Sequence, residues 1–197
     1  MMTHYLYLMR HGQTLFNQLN KVQGACDSPL TELGIYQANA AKQYFERAKI
    51  SFDRAYSSTQ ERACDTLELV TSLPYQRLKG LKEMNFGYYE AQPTFLQPKG
   101  PETYETFYVS YGGESAESVR VRMSQTLLNI MSQKNHKNVL AVSHNGACFS
   151  FLSQIWKESY GIQPIHLPNC GIIKLSFNGK EFEFLEIIDP TEIFEKE

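Results

Sequence analysis

Two short apolar runs, far apart in the chain, end in the same way. His4-Tyr5-Leu6-Tyr7-Leu8-Met9 stops at Arg10-His11-Gly12, and Val139-Leu140-Ala141-Val142 stops at Ser143-His144-Asn145-Gly146. Continuous apolar runs of this length read as strands covered on both faces, the pattern of a parallel sheet with helices on each side. Open α/β sheets bind ligands at the carboxyl ends of their strands. Two strands that each end in a histidine near a glycine therefore bring two imidazoles and a permanent cation to one place. Arg-His-Gly alone is a weak motif. Its echo at a second buried strand is hard to ascribe to packing. Gly12 is expected to let the backbone turn close to a ligand, and the group as a whole has the parts needed to grip a phosphate and attack it.

The rest of the chain alternates in kind. After a polar loop over roughly 10–30, Thr31 caps a helix whose apolar stripe is Leu33, Tyr36, Ala40 and Tyr44, widened by Ala41, Phe45 and Ala48. A second strand over 52–57 leads into a helix over 59–72, with Arg62 in its first turn and Ser57 and Ser58 beside its amino end. Such an end offers free N–H groups to an anion. A short strand follows at 75–78, then a loop carrying Glu83. Residues 84–113 are rich in Pro, Gly and aromatics and read as a lid-like insertion with a short helix at 102–110. A long helix over 115–133 buries Ala116, Val119, Met123, Leu127 and Ile130. A helix over 146–158 follows the second histidine strand. Asn178-Gly179 marks a type I′ hairpin between 172–177 and 180–188, and the tail after Asp189 is polar and peripheral. The expected fold is a three-layer α/β/α sandwich on a mixed, mostly parallel sheet with an antiparallel edge.

Composition closes off other classes. The 197 residues fit one domain, 1–197, long enough to bury a core, and 42% apolar with 20% charged residues is globular rather than disordered. A net charge of −2 argues against a general nucleic-acid binder. Cys26, Cys64, Cys148 and Cys170 are scattered and lack zinc spacing. They read as small, mostly buried thiols in a reducing compartment. The first residues lack the form of a signal peptide and no stretch approaches the ~20 apolar residues of a membrane span, so the expected place is the cytoplasm.

Taken singly, each candidate has a plainer explanation: Arg62 as a surface arginine, Glu83 as a solvated loop carboxylate. Taken in order they form a pattern. Arg10-His11-Gly12 with Asn17; Gly24-x-x-Asp27-x-x-Leu30-Thr31 with Gly34, Gln37 and Ala38; Ser57-Ser58 with Arg62-Ala63 and Thr66; Leu81-x-Glu83-x-x-Phe86-Gly87 with Glu90; Gly113-Glu114-Ser115; and Val142-Ser143-His144-x-Gly146 follow one another over about residues 5 to 150. As a set they resemble the histidine phosphatase superfamily, in the branch shared with cofactor-dependent phosphoglycerate mutases. The resemblance implies a covalent phosphohistidine step. It makes His11 the nucleophile, Arg10 and Arg62 the phosphate clamp, His144 the partner of the transferring phosphoryl group, and Glu83 the general acid. Asn17, Gln23, Gly24 and Asn145 are further candidates for phosphate or substrate contact. Neither a metal nor an organic cofactor is expected.

Within that family the mutases follow the acid with a basic Arg-His-Tyr-Gly run, whereas here Met84-Asn85-Phe86-Gly87 follows Glu83. Segment 84–113 sets Lys99 against Glu90, Glu102 and Glu105. A mutase must hold a second anionic group while its intermediate reorients, and no cluster of cations offers to do so. The expected activity is thus hydrolysis of a small phosphorylated metabolite by an acid-type histidine phosphatase. The competing readings are a phosphoglycerate mutase, a weakly active module that recognises phosphate, and a metal-dependent hydrolase with His11 and His144 as ligands. The expected partner is the small phosphomonoester, with no nucleic acid and no membrane, and with a homodimer left open. Glu90-Ala91 departs from the Glu-Gly of many phosphatase members at the lid's hinge.

Overall fold

In the computed structural model, which describes residues 4–161 and 166–195, six strands form one sheet. They are β1 (His4–Arg10), β2 (Arg54–Ser58), β3 (Tyr75–Leu78), β4 (Asn138–Ser143), β5 (Ile172–Phe177) and β6 (Phe182–Ile188), in the order β3-β2-β4-β1-β5-β6. The pairs β1–β4, β2–β4 and β2–β3 are parallel, and β5 and β6 close one edge antiparallel. The mixed sheet is the expected one.

Alternation along the central strands divides the core in two. Leu6 and Leu8 of β1, with Val139 and Ala141 of β4, face α4 (Ala116–Met131) and α5 (Asn145–Ile155). Tyr7 and Met9, with Leu140 and Val142, face α2 (Glu32–Arg47) and α3 (Glu61–Val70). Both faces of β1 and β4 are covered, which is why their sequences are apolar throughout. The α4 stripe is buried as expected.

Helix α2 departs from its expected face. Its buried residues are Gly34, Ala38, Ala40, Ala41 and Phe45, whereas Leu33 and Tyr36 are 47% and 51% exposed. The cause is Gly34: a Cβ there would lie 2.1 Å from Gln13 O. The helix approaches the loop after β1 on its smallest residues, and this rotates the bulky ones outward. Gly12 serves the same contact. A Cβ on it would lie 2.6 Å from Gly34 O, and its φ is not in the left-handed region. It is a packing glycine rather than the backbone hinge expected of it.

Four further differences are local. The polar loop after β1 contains a short helix, α1 (Leu15–Gln18), closed by a reciprocal cap between Thr14 and Asn17. The β5–β6 turn is not type I′, because Gly179 has positive φ and Asn178 does not. Instead Asn178 Oδ1 accepts from the N–H groups of Lys180 and Glu181, an Asx arrangement that lengthens the loop. The tail forms α6 (Pro190–Glu195), which packs on α2, so to Glu195 it is not peripheral; residues 196–197 lie outside the described ones. In segment 84–113 the expected helix is a series of 3-10 turns, two of them at Pro101–Tyr104 and Phe107–Tyr111. Phe86, Tyr89, Phe107, Tyr108 and Tyr111 pack edge to face upon one another, while Tyr88 and Phe95 stand out at 84% and 80% exposure.

Candidate active site

Register brings the two histidine strands together. Arg10 pairs with Ser143, and His11 N donates to Ser143 O at 3.1 Å. The next side chains, His11 and His144, lie with ring centroids 5.2 Å apart. His11, His144, Arg10, Arg62 and Glu83 are all buried.

The His11 tautomer follows from its neighbours. Nδ1 sits 2.7 Å from Gly12 O, and a carbonyl only accepts, so Nδ1 carries the proton and Nε2 is left with its lone pair. Arg62 Nε donates toward that Nε2 at 3.3 Å. Burial and then the charges of Arg62 and Arg10 hold the His11 pKa well below its ordinary value. His144 is held low by burial and then by Arg62 and His11. Neither of its ring nitrogens meets a partner among the described residues, nor does Arg10 Nε. Arg10 Nη1 is anchored on Leu167 O.

Arg62 is placed where the sequence put it, in the first turn of α3, and every N–H of its guanidinium is used. Besides Nε, Nη1 donates to Cys26 O and Asp27 Oδ1, both at 2.9 Å, and Nη2 to Gly24 O at 3.0 Å and Gln23 O at 3.4 Å. Gln23 and Gly24 thus meet Arg62 through their carbonyls, and the Gln23 side chain is bound to Thr14. Contrary to expectation, the amino end of α3 is not open to an outside anion, because Asp27 Oδ2 accepts from Glu61 N at 2.6 Å. Ser58 is turned to Gln60.

Glu83 occupies the amino end of α5. Its Oε2 accepts from Gly146 N at 2.9 Å, and its Oε1 from Ala147 N and its own Met84 N at 2.8 Å. A Cβ at Gly146 would lie 2.8 Å from Glu83 Oε1, so a side chain there would push the carboxylate from its place. Asn145 Oδ1 accepts from Leu167 N at 3.0 Å and so braces the segment that holds Arg10. Asn17 Oδ1 accepts from Thr14 and from Asn169 Nδ2, which also donates to His11 O at 3.1 Å.

Asn169 carried only the signal of standing before β5, and Glu90, named in the pattern, was given no role. Glu90 gathers four backbone N–H groups, from Gly24, Ala25, Cys26 and Phe86. It fixes the loop whose carbonyls hold Arg62. Among the described residues no group of three or more His, Cys, Asp or Glu side chains is arranged to hold a metal ion.

The carboxyl ends of β1 and β4 thus gather two imidazoles and two buried guanidiniums near a carboxylate at a helix amino end, the groups that phosphoryl transfer calls for. The chain belongs to the histidine phosphatase superfamily (branch 1), whose profile it matches over residues 6–190. It is 30% identical over 192 residues to a putative phosphoserine phosphatase 2 of Hydrogenobacter thermophilus, covering 89% of this chain and 91% of that one. It is 27% identical to a probable phosphoglycerate mutase of Proteus mirabilis, covering 87% and 84%. Among solved structures, a phosphoserine phosphatase mutant of Entamoeba histolytica in complex with phosphoserine superposes with a TM-score of 0.78 at 28% identity, covering 96% and 99%. A phosphoglycerate mutase of Bacillus anthracis superposes at 0.83 and 23% identity, covering 100% and 98%, a likeness of fold.

Proposed function

We propose that the protein hydrolyses small phosphomonoesters through a phosphohistidine on His11. The observation that carries this reading is the His11 ring: its proton is fixed on Nδ1 by Gly12 O, so the lone pair of Nε2 faces the cluster of Arg62 and His144. In the first step Nε2 attacks phosphorus, the P–O bond to the alcohol breaks, and Glu83, which takes up a proton as the phosphate dianion binds beside it, passes that proton to the departing oxygen. In the second, Glu83 takes a proton from water as that water attacks phosphorus, the P–N bond breaks, and inorganic phosphate leaves. Arg10 and His144, whose unpartnered nitrogens can meet the transferring oxygens, stabilise their charge, and Arg62 adds a fixed positive charge beside Nε2. Because the His11 pKa is lowered, the ring stays neutral into the acid range, which supports an acid-type enzyme. Phosphoserine is the first metabolite to try, in view of the relatives' names. The four free thiols support a reducing, cytoplasmic setting.

Mutase activity is the competing reading, in view of the mutase-named relative. Against it, the α4 arginines that reach the lid side have no charge to spare for a second anionic group, Arg120 being paired with Glu105 and Glu117 and Arg122 with Glu114, and Lys99 is exposed. The test is to incubate the protein with EDTA and p-nitrophenyl phosphate or phosphoserine at about pH 5 to 7, beside His11→Ala. Inorganic phosphate that appears with wild type and not with the variant supports the reading. Interconversion of phosphoglycerates without phosphate release overturns it in favour of a mutase, and dependence on a metal overturns the metal-free mechanism.

A further inference from the structure

The stretch that carries Glu83 has little regular structure of its own, yet it is fixed on every side. Leu81 O accepts from Ser143 Oγ at 2.8 Å, and Glu83 N donates to Gln60 Oε1 at 3.0 Å. The largest share falls to Arg122 of α4. Its Nη1 donates to Gly80 O at 3.0 Å and Lys82 O at 2.6 Å, and its Nη2 to Glu83 O at 2.9 Å. The remaining donors, Nε and the second hydrogen of Nη2, go to the Glu114 carboxylate at 2.9 and 3.0 Å. Glu114 Oε2 in turn accepts from Asn85 N at 2.9 Å. One arginine and one carboxylate thus bind the backbone on both sides of Glu83. Helix α4 also presses on the stretch directly, since a Cβ on Gly80 would lie 1.9 Å from Thr126 Oγ1.

All five donors of Arg122 are spent on fixed partners, as are those of Arg62. Arg62 points its guanidinium at the nucleophile. Arg122 binds only the main chain that aims the acid and the carboxylate that completes the grip. The difference in what the two arginines hold assigns them different tasks. We infer that Arg122, locked by Glu114, is a positioning residue for the general acid: it fixes the depth at which the Glu83 carboxyl stands between the amino end of α5 and the substrate's departing oxygen. The inference rests on the phosphatase reading and on Glu83 as its acid. A shift of about an ångström in such a group is enough to lower a rate by about 10²-fold.

A misplaced acid leaves a chemical signature that general loosening does not. p-Nitrophenolate departs without a proton, whereas an alkoxide needs one. The experiment compares p-nitrophenyl phosphate with benzyl phosphate, an alkyl ester of similar bulk, in wild type, Arg122→Met and Glu114→Gln, with folding checked by circular dichroism and thermal melting. Arg122→Met is expected to lose about 10²-fold in kcat on benzyl phosphate and less than about 5-fold on p-nitrophenyl phosphate. Glu114→Gln, which keeps the arginine, is expected to fall between the two. Where Arg122→Met does not fold, Arg122→Lys carries the comparison, because an ammonium cannot hold three carbonyls and a carboxylate at once. Equal losses on both esters, no loss in a folded variant, or failure of both arginine variants to fold each overturns the inference and leaves Arg122 a stabilising residue. A wild type that hydrolyses neither ester removes the phosphatase reading, and this inference with it; a wild type that hydrolyses both with equal mutant losses removes this inference alone.

Discussion

His11 and His144 stand at equivalent ends of neighbouring parallel strands, yet they are held in opposite ways. His11 is engaged at both nitrogens, by Gly12 O and by Arg62 Nε. His144 is fully buried and engaged at neither among the described residues. A nucleophile must present one nitrogen in one tautomer, and its neighbours impose that before any substrate arrives. On the proposed reading, His144 keeps both ring nitrogens available for the transferring oxygens. A buried imidazole without hydrogen bonds is a cost to stability, tolerated where chemistry needs the group free.

The sharpest way to break this comparison is to remove each ring in turn. His11→Ala is expected to lose about 10⁴-fold or more in kcat and to show no acid-labile phosphoenzyme in a rapid-quench experiment with labelled substrate. A variant that still forms the phosphoenzyme moves the nucleophile elsewhere. His144→Leu is expected to lose about 10²–10³-fold in kcat while its melting temperature stays level or rises, by about 1 kcal/mol of stability, because an unpaired buried polar group is replaced by an apolar one. A clear fall in stability would mean that His144 has partners in solution and would dissolve the contrast.

Both rings have pKa values lowered by burial, and here they act alike. The unfolded chain titrates its histidines near 6.5, so below that pH the unfolded state takes up protons that the folded state refuses. Stability is therefore full above about pH 6.5 and declines as pH falls toward the lowered native values. Thermal melts from pH 7.5 to 5 should show the decline, and the double replacement of His11 and His144 should flatten it. A slope unchanged in the double variant assigns the loss to other groups.

The smallest expected effect lies at Ala91, which takes part in neither ring's surroundings. Its φ of +63° belongs to the region that glycine occupies without strain. Ala91→Gly is expected to stabilise the fold by about 0.5–1 kcal/mol with kcat unchanged, read by chemical denaturation beside the turnover assay. Destabilisation would show that the alanine methyl contributes packing that outweighs the strain.

What could be read in the sequence was what a residue announces by itself or by its place on a strand. His11, His144, Arg10 and Arg62 follow from strand ends and a helix start, and the mixed sheet follows from the alternation of elements. What could not be read were groups whose work is done on another segment's backbone. Glu90 and Arg122 bind N–H and C=O groups that every residue carries, so nothing in their own neighbourhoods marks the partners. The buried face of α2 was misjudged because close approach at Gly34 outranked the larger apolar side chains. The turn at Asn178 was misjudged because its side chain, not a left-handed backbone, closes it.

The pairing of Arg10 with Ser143 also fixes when the site comes into being. Local helices can form as the chain leaves the ribosome, but β1 lacks its parallel neighbour until residue 143 has been made. Contacts this distant in sequence are slow to close, since the entropy of the intervening loop is lost before they form. The first strand, with Arg10 and His11 at its end, therefore waits through most of synthesis as an unpaired apolar edge. Recovery of turnover on refolding should accordingly coincide with the docking of β1 beside β4 and not with the appearance of helix, making the reaction itself a reporter of that strand pairing.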